Sequence, residues 1–225
     1  MTLLEAIQAR HSVRSYTDQK IQGNTQEALQ SAIDSYNQES GLHIQLCLDE
    51  PTAFSGGLAR YGKFENVQNY IALVGGKGAK LEETCGYYGQ KLVLLAQQLG
   101  LNTCWVALTF RKGKSKKRLQ IAPGQKLLMV ISLGCGTTQG ISRKTKPVEA
   151  LCQADQPLPD WFRAAMNAVQ LAPTARNQQA FTFTLKGNAV AASPGSGFYS
   201  KTDLGIAKCH FEIGAADADW HWTDQ

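Results

Sequence analysis

An order of elements that occurs twice constrains the fold most. Tyr87–Leu99 places Leu92, Leu95, Ala96 and Leu99 on one helical face, and Gly100 stops the helix. Asn102–Leu108 then holds a turn and a short strand that carries Trp105. Tyr88–Val106 lies over Asp203–His221 without a gap, and Trp105 then falls on Trp220. The second series predicts a helix over Asp203–Ala216 and a terminal strand flanked by Trp220 and Trp222. Two such series are expected to build two α+β halves around a shared core.

Other elements fill in the plan. Thr2 with Glu5 is a capping-box pattern, and Leu3, Leu4 and Ile7 give the helix after it one apolar face. A helix is expected from about Thr25 to Tyr36, with Leu29 and Ile33 on one side. Leu42–Leu48 and Tyr70–Val74 read as strands, the second closed by Gly75-Gly76. Arg118–Ile121 is expected to be helical up to Pro123-Gly124, and Lys126–Leu133 to be a strand. Thr137–Pro159 is polar, carries Pro147, Pro157 and Pro159, and reads as a long connection or linker. Asp160–Leu171 reads as a helix capped by Asp160, and Phe181–Leu185 as a strand. The expected fold is α+β: a central, mostly antiparallel sheet flanked by helices. It forms one domain, 1–225, with pseudo-halves at about 1–140 and 155–225.

Composition excludes several functions. No apolar run approaches the ~18 residues of a membrane-spanning helix. The N-terminus lacks the basic start and apolar stretch of a signal peptide, so a cytoplasmic protein without membrane partners is expected. The six cysteines are scattered and the four histidines isolated, so no metal site is expected. Net charge is +5, part of it in Arg111–Arg118. That run reads as a solvated loop leading into the next helix. A basic nucleic-acid-binding module is the competing view, but only Phe110 at its edge could stack on bases, so no nucleic-acid partner is expected.

Two polar motifs carry the chemistry. In Arg10-His11-Ser12-Val13-Arg14-Ser15-Tyr16, an extended backbone turns Arg10, Ser12 and Arg14 to one side. Guanidinium forks and a hydroxyl suit phosphate oxygens. A polar loop after a helix would look the same. In Ala172-Pro173-Thr174-Ala175-Arg176-Asn177-Gln178-Gln179, carboxamides both donate and accept, as the edge of a flavin ring requires. A helix-ending turn is the plainer alternative. Ser142-Arg143-Lys144 adds a third cationic spot. Gly76-Lys77-Gly78-Ala79-Lys80-Leu81 follows a strand but lacks the third glycine of a dinucleotide fingerprint. A mononucleotide cofactor visited by NAD(P)H is therefore favoured over a dedicated dinucleotide fold.

These motifs resemble those of the FMN-dependent nitroreductase family. Arg10–Tyr16 resembles its opening R-x-S-x-R/K-x-[FY], Ala172–Gln179 its A-P-S-x-x-N-x-Q, and Ala96–Val106 its central L-G-L-x-x-x-W. Pro123–Gly134 resembles the segment before its last core strand, and Ser142-Arg143-Lys144 its closing basic segment. In the usual member the A-P-S motif follows soon after the opening motif. Here Ser35–Gly41 holds that place without matching, and the motif comes in the second half. The chain thus resembles a branch with two nitroreductase-like halves fused in one polypeptide, in which the two motifs meet across an internal pseudo-dimer interface. The second half has no R-x-S-x-R of its own ahead of Asp160, so one FMN per chain is expected, in a monomer or a homodimer.

The resemblance also implies roles. Arg10, Arg143 and Lys144 would hold the phosphate, and Ser12 and the His11 backbone the phosphate or ribityl chain. Arg14 would lie near N1 and O2. Pro173, Thr174, Ala175, Asn177 and Gln179 would line the ring, and the backbone at Leu108 would approach N5. Phe54, Phe64 and Phe198 are candidates to cover the ring. The implied activity is ping-pong: NADH or NADPH reduces FMN, which then reduces a small electron-poor acceptor such as a nitroaromatic, quinone or enone. No catalytic side chain is assigned. A flavin-binding protein without turnover is the alternative.

Overall fold

Two four-stranded sheets organise the chain, where the sequence suggested one central sheet. The computed structural model describes residues 1–223. One sheet comprises β1 (Gln45–Cys47), β2 (Asn69–Gly76), β3 (Asn102–Val106) and β4 (Gln125–Gly134), ordered β1-β2-β4-β3 and antiparallel throughout. The other comprises β5 (Cys152–Ala154), β6 (Phe181–Lys186), β7 (Ala189–Pro194) and β8 (His221–Trp222) in chain order. Its central hairpin β6–β7 is antiparallel and its outer pairs are parallel. The two sheets lie in separate compact units. Ala9–Leu81 and Lys91–Ser142 form the β1–β4 unit; Met1–Gln8, Glu82–Gln90 and the segment from Arg143 onward form the β5–β8 unit.

In the β1–β4 unit, β2 and β4 are buried along nearly their whole length. Burial on both faces explains their unbroken apolar runs, since an alternating pattern belongs to a sheet with one wet face. Tyr70, Ala72, Val74, Cys104, Val106 and Val130 pack with Val13, Tyr16, Phe54, Phe64 and Phe110. Helix α2 (Asn24–Ser40) is longer at both ends than Thr25–Tyr36 and buries Leu29 and Ile33 as expected. It ends at Gly41, which adopts φ +68° and donates its N–H to Asn37 O. Helix α3 (Gly57–Tyr61) follows. Helix α4 (Leu81–Gln98) starts earlier than Tyr87, with Glu82 and Glu83 in its first turn, where carboxylates complement the helix dipole.

Several expectations need correction. Arg118–Ile121 is not helical; the helix is α5 (Lys112–Lys116), inside the basic run that read as a loop. Lysine is a good helix former, and burial of Ser115 and Leu119 anchors the segment while its cations stay outside. Thr137–Pro159 is more than a linker, because β5 pairs there with β6. Asp160 is the first residue of helix α6 (Asp160–Gln170), not its cap; Pro159 holds the cap position. In α1 (Leu3–Ala9) the buried residues are Ala6 and Ile7, whereas Leu3 and Leu4 are exposed. The capping box does form: Thr2 N donates to Glu5 Oε2 at 2.7 Å and Glu5 N to Thr2 Oγ1 at 3.2 Å.

In the β5–β8 unit, α7 (Ser200–Ala215) is buried on most of its faces. Two of its glycines bring other helices close. At Gly205 a methyl would overlap Glu83 O and sit 2.8 Å from Tyr87 N, both on the first half of α4. At Gly214 it would lie 2.8 Å from Ala165 Cα on α6. His210 on α7 is fully buried, with Nδ1 2.8 Å from Ala168 O and Nε2 2.8 Å from Gln90 Nε2. A carbonyl can only accept, so the proton is on Nδ1 and Nε2 accepts from Gln90. Trp161, Phe162, Phe183, Phe211, Trp220 and Trp222 form one aromatic cluster under the sheet. Trp105 sits inside antiparallel β3, whereas Trp220 precedes β8, which runs parallel to β7. The matched series thus enter their sheets with opposite strand sense.

Candidate functional site

The Arg10–Tyr16 segment is woven into the β1–β4 unit. Ser12 bridges to Thr103 on β3, and Val13 N donates to Thr103 O at 3.0 Å. Glu65 N donates to Arg14 O at 2.9 Å, and Thr17 N to Cys135 O at 2.8 Å. The buried Tyr16 hydroxyl lies 2.7 Å from both Val13 O and Ser132 Oγ. Removal from water raises its pKa. Gly140 presses on the segment: a methyl there would lie 2.7 Å from His11 Cβ.

Burial falls along the anchored segment from one polar side chain to the next. Arg10 is buried, Ser12 half-buried and Arg14 exposed. Burial pushes the Cys104 thiol pKa up, and the Arg14 charge, a Ser12 hydrogen bond and the Arg10 charge oppose it. Two guanidinium charges and a hydroxyl thus act on the Cys104 thiol of β3. The Arg14 guanidinium also stands 5.9 Å from the centre of the Phe64 ring. Leu108, just beyond β3, is 71% exposed. A polar cavity of about 320 Å³ in the same unit, lined by Asp18, Gln19, Lys20, Asp49, Gln68 and Asn69, contains none of the expected site residues.

In the β5–β8 unit, Ala172–Gln179 is a tightly folded loop between α6 and β6. Arg176, Asn177 and Gln179 have φ of +54°, +55° and +43°. That conformation costs a non-glycine residue energy and persists only where surroundings enforce it. Gln179, 2% exposed, is the organiser: Oε1 accepts from Lys146 N at 2.7 Å, and Nε2 donates to Gln170 O at 3.0 Å. Its backbone N donates to Thr174 Oγ1 at 3.1 Å. Asn177 Nδ2 donates to Lys144 O at 2.8 Å. Arg143 reaches Leu171 O at 2.8 Å and Ala172 O at 2.5 Å, closing the carbonyl end of α6. Desolvation lowers its pKa. Pro173 is buried, Thr174 and Ala175 are half-buried, and Lys144 and Asn177 are exposed.

Sequence reasoning missed Asp203 and Gln178. Asp203, 3% exposed in the first turn of α7, accepts from Ala175 N at 3.0 and 3.1 Å and from Gln178 Nε2 at 2.9 Å. Burial raises its pKa to about 6 against those two hydrogen bonds. The available signal was Ser200-Lys201-Thr202-Asp203, a hydroxyl-x-x-acid start of a helix; here the acid turns to the neighbouring loop instead. Among the described residues no group of His, Cys, Asp and Glu could hold a metal ion.

Comparison with known proteins adds the family. The family described as "Putative TM nitroreductase" matches residues 2–215. The chain belongs to this nitroreductase family. A "putative nitroreductase" from Thermotoga maritima superposes with a TM-score of 0.69 at 22% identity, over 95% of this chain and 83% of that one. A "putative nitroreductase in complex with FMN" from Desulfovibrio desulfuricans gives 0.53 at 17% identity, over 71% and 99%. A "putative NADH dehydrogenase/NAD(P)H nitroreductase" from Parabacteroides distasonis gives 0.52 at 21% identity, over 66% and 95%. These likenesses show a shared α+β fold. No curated protein matches the chain.

Proposed function

We propose that this nitroreductase-family chain is an FMN-dependent NAD(P)H oxidoreductase that reduces a small electron-poor acceptor such as a nitroaromatic, quinone or enone. The observation that carries this is a segment anchored against β3 that bears Arg10, Ser12 and Arg14. Two permanently charged donors and a hydroxyl fit a phosphate. Support comes from the FMN bound in the Desulfovibrio desulfuricans relative. When bound, FMN would take hydride from NAD(P)H and pass electrons on, so the chain needs no acid or base of its own for that transfer.

Arg10 and Ser12 hold the phosphate end in this proposal. Arg14, the exposed cation of the three, stabilises negative charge on the reduced ring at N1 and O2. The Leu108 backbone would approach N5. Thr174, Ala175 and Asn177 serve the ring, and Lys144 the phosphate. Pro173, Gln179 and Arg143 build and fix the loop, because both ends of the Gln179 carboxamide and the Arg143 guanidinium already bind backbone. Each motif occurs once, so we propose one FMN per chain, with the two α+β halves related as a fused pseudo-dimer.

The test is the visible spectrum of the purified protein, with released flavin quantified. About one FMN per chain, bleached by NADH or NADPH, is the expected result, as a shared cofactor site requires. A protein that neither carries nor takes up FMN refutes the proposal. Flavin that no nicotinamide bleaches leaves binding without turnover.

A further inference from the structure

Asp203 and Gln178 tie together two loops of the β5–β8 unit. The Gln178 amide nitrogen donates to Asp203 Oδ2 at 2.9 Å and to Phe198 O at 2.8 Å. An amide has two N–H groups, so both bonds form at once. The Asp203 carboxylate also takes the Ala175 N–H with both its oxygens. One buried carboxylate thus fixes the start of the Thr174–Gln179 loop directly and the Gly197-Phe198 turn through Gln178. The fit is close: a methyl on Gly197 would lie 2.5 Å from Gln178 Oε1.

What is fixed is what a planar ligand would use. The loop holds three non-glycine residues at positive φ, which would relax without anchors. Of the candidate covering rings, Phe54 and Phe64 are core residues at 8% and 7% exposure, whereas Phe198 is 74% exposed. An exposed phenylalanine on a tethered turn beside a polar loop suits stacking on an aromatic ring.

We propose that Asp203 is the positioning residue of the Thr174–Gln179 loop and, through Gln178, of the Phe198 ring. The clamp stands on the geometry; that its ligand is FMN rests on the function proposed above. The carboxylate is the closed form. A protonated Asp203 carries an O–H that needs an acceptor, and Gln178 supplies one by turning its amide over, which takes its N–H from Phe198 O. The charged side chains on the surrounding elements are Lys201, Lys208 and Glu212 on α7, Glu82 and Glu83 on the first turn of α4, and Arg176 on the loop. None is a cause of the Asp203 shift, whose upward direction comes from burial. With Asp203 still buried, loss of the Gln178 and Ala175 hydrogen bonds raises its pKa further, so protonation favours this local loosening below about pH 6 even while it stabilises the chain against global unfolding.

Asp203→Asn and Gln178→Ala test this on the full chain. Backbone hydrogen exchange is followed at 173–180 and 195–199, with α6 as internal control. In the wild type both segments should exchange faster at pH 5 than at pH 7.5, after correction for intrinsic rates. Asp203→Asn should exchange fast at both pH values. Gln178→Ala should loosen 195–199 more than Ala175. FMN titration supplies the second readout: Asp203→Asn should weaken binding roughly tenfold at pH 7.5, the worth of one charge-assisted hydrogen bond, and remove its pH dependence between 5 and 7. Unchanged exchange in Asp203→Asn at both segments overturns the clamp. A wild type that binds no FMN but shows the exchange pattern overturns the flavin proposal and leaves the clamp standing.

Discussion

Gly205→Ala sets two opposite effects against each other. Gly205 lies in the interior of α7, where alanine gains up to about 1 kcal/mol in helix propensity. Against that, the new methyl would meet backbone: Glu83 O well inside contact, Glu83 C at 2.9 Å and Tyr87 N at 2.8 Å. Backbone of a facing helix cannot swing aside as a side chain can, so α4 and α7 must separate by at least several tenths of an ångström. A gap of 0.5–1 Å forfeits roughly a quarter to a half of each lining contact's attraction. Overpacking of this kind costs about 1–3 kcal/mol, and the upper end applies because the obstacle is main chain. The net expectation is a loss of about 2 kcal/mol, or a fall in Tm of roughly 4–8 °C for a chain of this size. Gly113→Ala is the control. It makes the same change inside α5, where no atom lies within 4 Å of the new methyl, so only the propensity gain remains. Thermal unfolding by circular dichroism would compare the two. A Gly205→Ala protein as stable as the wild type would refute the close helix contact and the reasoning drawn from it.

Asp203 ionises with more difficulty in the folded chain, at about 6 against an ordinary 3.8, so the native state binds a proton that the unfolded state has released. Its contribution to stability is full below about pH 4 and falls as pH rises to about 6. The span is about 3 kcal/mol at 1.36 kcal/mol per pH unit, read as the difference between wild-type and Asp203→Asn urea midpoints across pH 4–7; parallel curves would contradict it. Tyr16→Phe removes the hydroxyl shared by Val13 O and Ser132 Oγ and should cost about 1–2 kcal/mol in denaturant unfolding, with an unchanged m-value. Arg143→Gln strips the donors from Leu171 O and Ala172 O and should destabilise by about 1.5–3 kcal/mol. A neutral effect there would mean that solvent satisfies those carbonyls. Arg10→Ala with Arg14→Ala should abolish FMN retention; normal occupancy in the double variant would remove both from the site.

Much of the architecture was visible in the residue pattern, for identifiable reasons. Helices with a clear apolar face emerged, α2 through Leu29 and Ile33 and α4 through Leu92 and Ala96, because burial selects that face. Long buried strands emerged too, since β2 and β4 are apolar throughout. The hairpin β6–β7 did not. Its second strand, Ala-Val-Ala-Ala-Ser-Pro, is weak in strand formers, and the deciding mark was the two-residue Gly187-Asn188 turn with Gly187 at φ +61°. Helix α5 was hidden because charge density suggested loop, while the two residues that dock it, Ser115 and Leu119, say little by themselves. In the site, the segment carrying Arg10, Ser12 and Arg14 was legible as a polar motif, and its one-sided reading rests on the fixed period of extended backbone. The use of Gln179 and Arg143 on backbone was not, since which groups lie opposite a carboxamide or guanidinium depends on tertiary structure alone.

The β5–β8 unit draws on three separated stretches: Met1–Gln8, Glu82–Gln90 and the segment from Arg143 onward. A ribosome delivers Glu82–Gln90 long before α7, the helix it packs against. Gly86 and Glu83 meet Thr202 and Gly205, which emerge more than a hundred residues later, so the first half of α4 leaves the exit tunnel with its closest partner still unmade. The β1–β4 strands, complete by Gly134, are all available earlier. Vectorial synthesis thus favours folding that unit first, and the first half of α4 waits for α7. A nascent chain arrested before Ser200 would expose the waiting face of α4, and that is the point in its life at which a chaperone has something to hold.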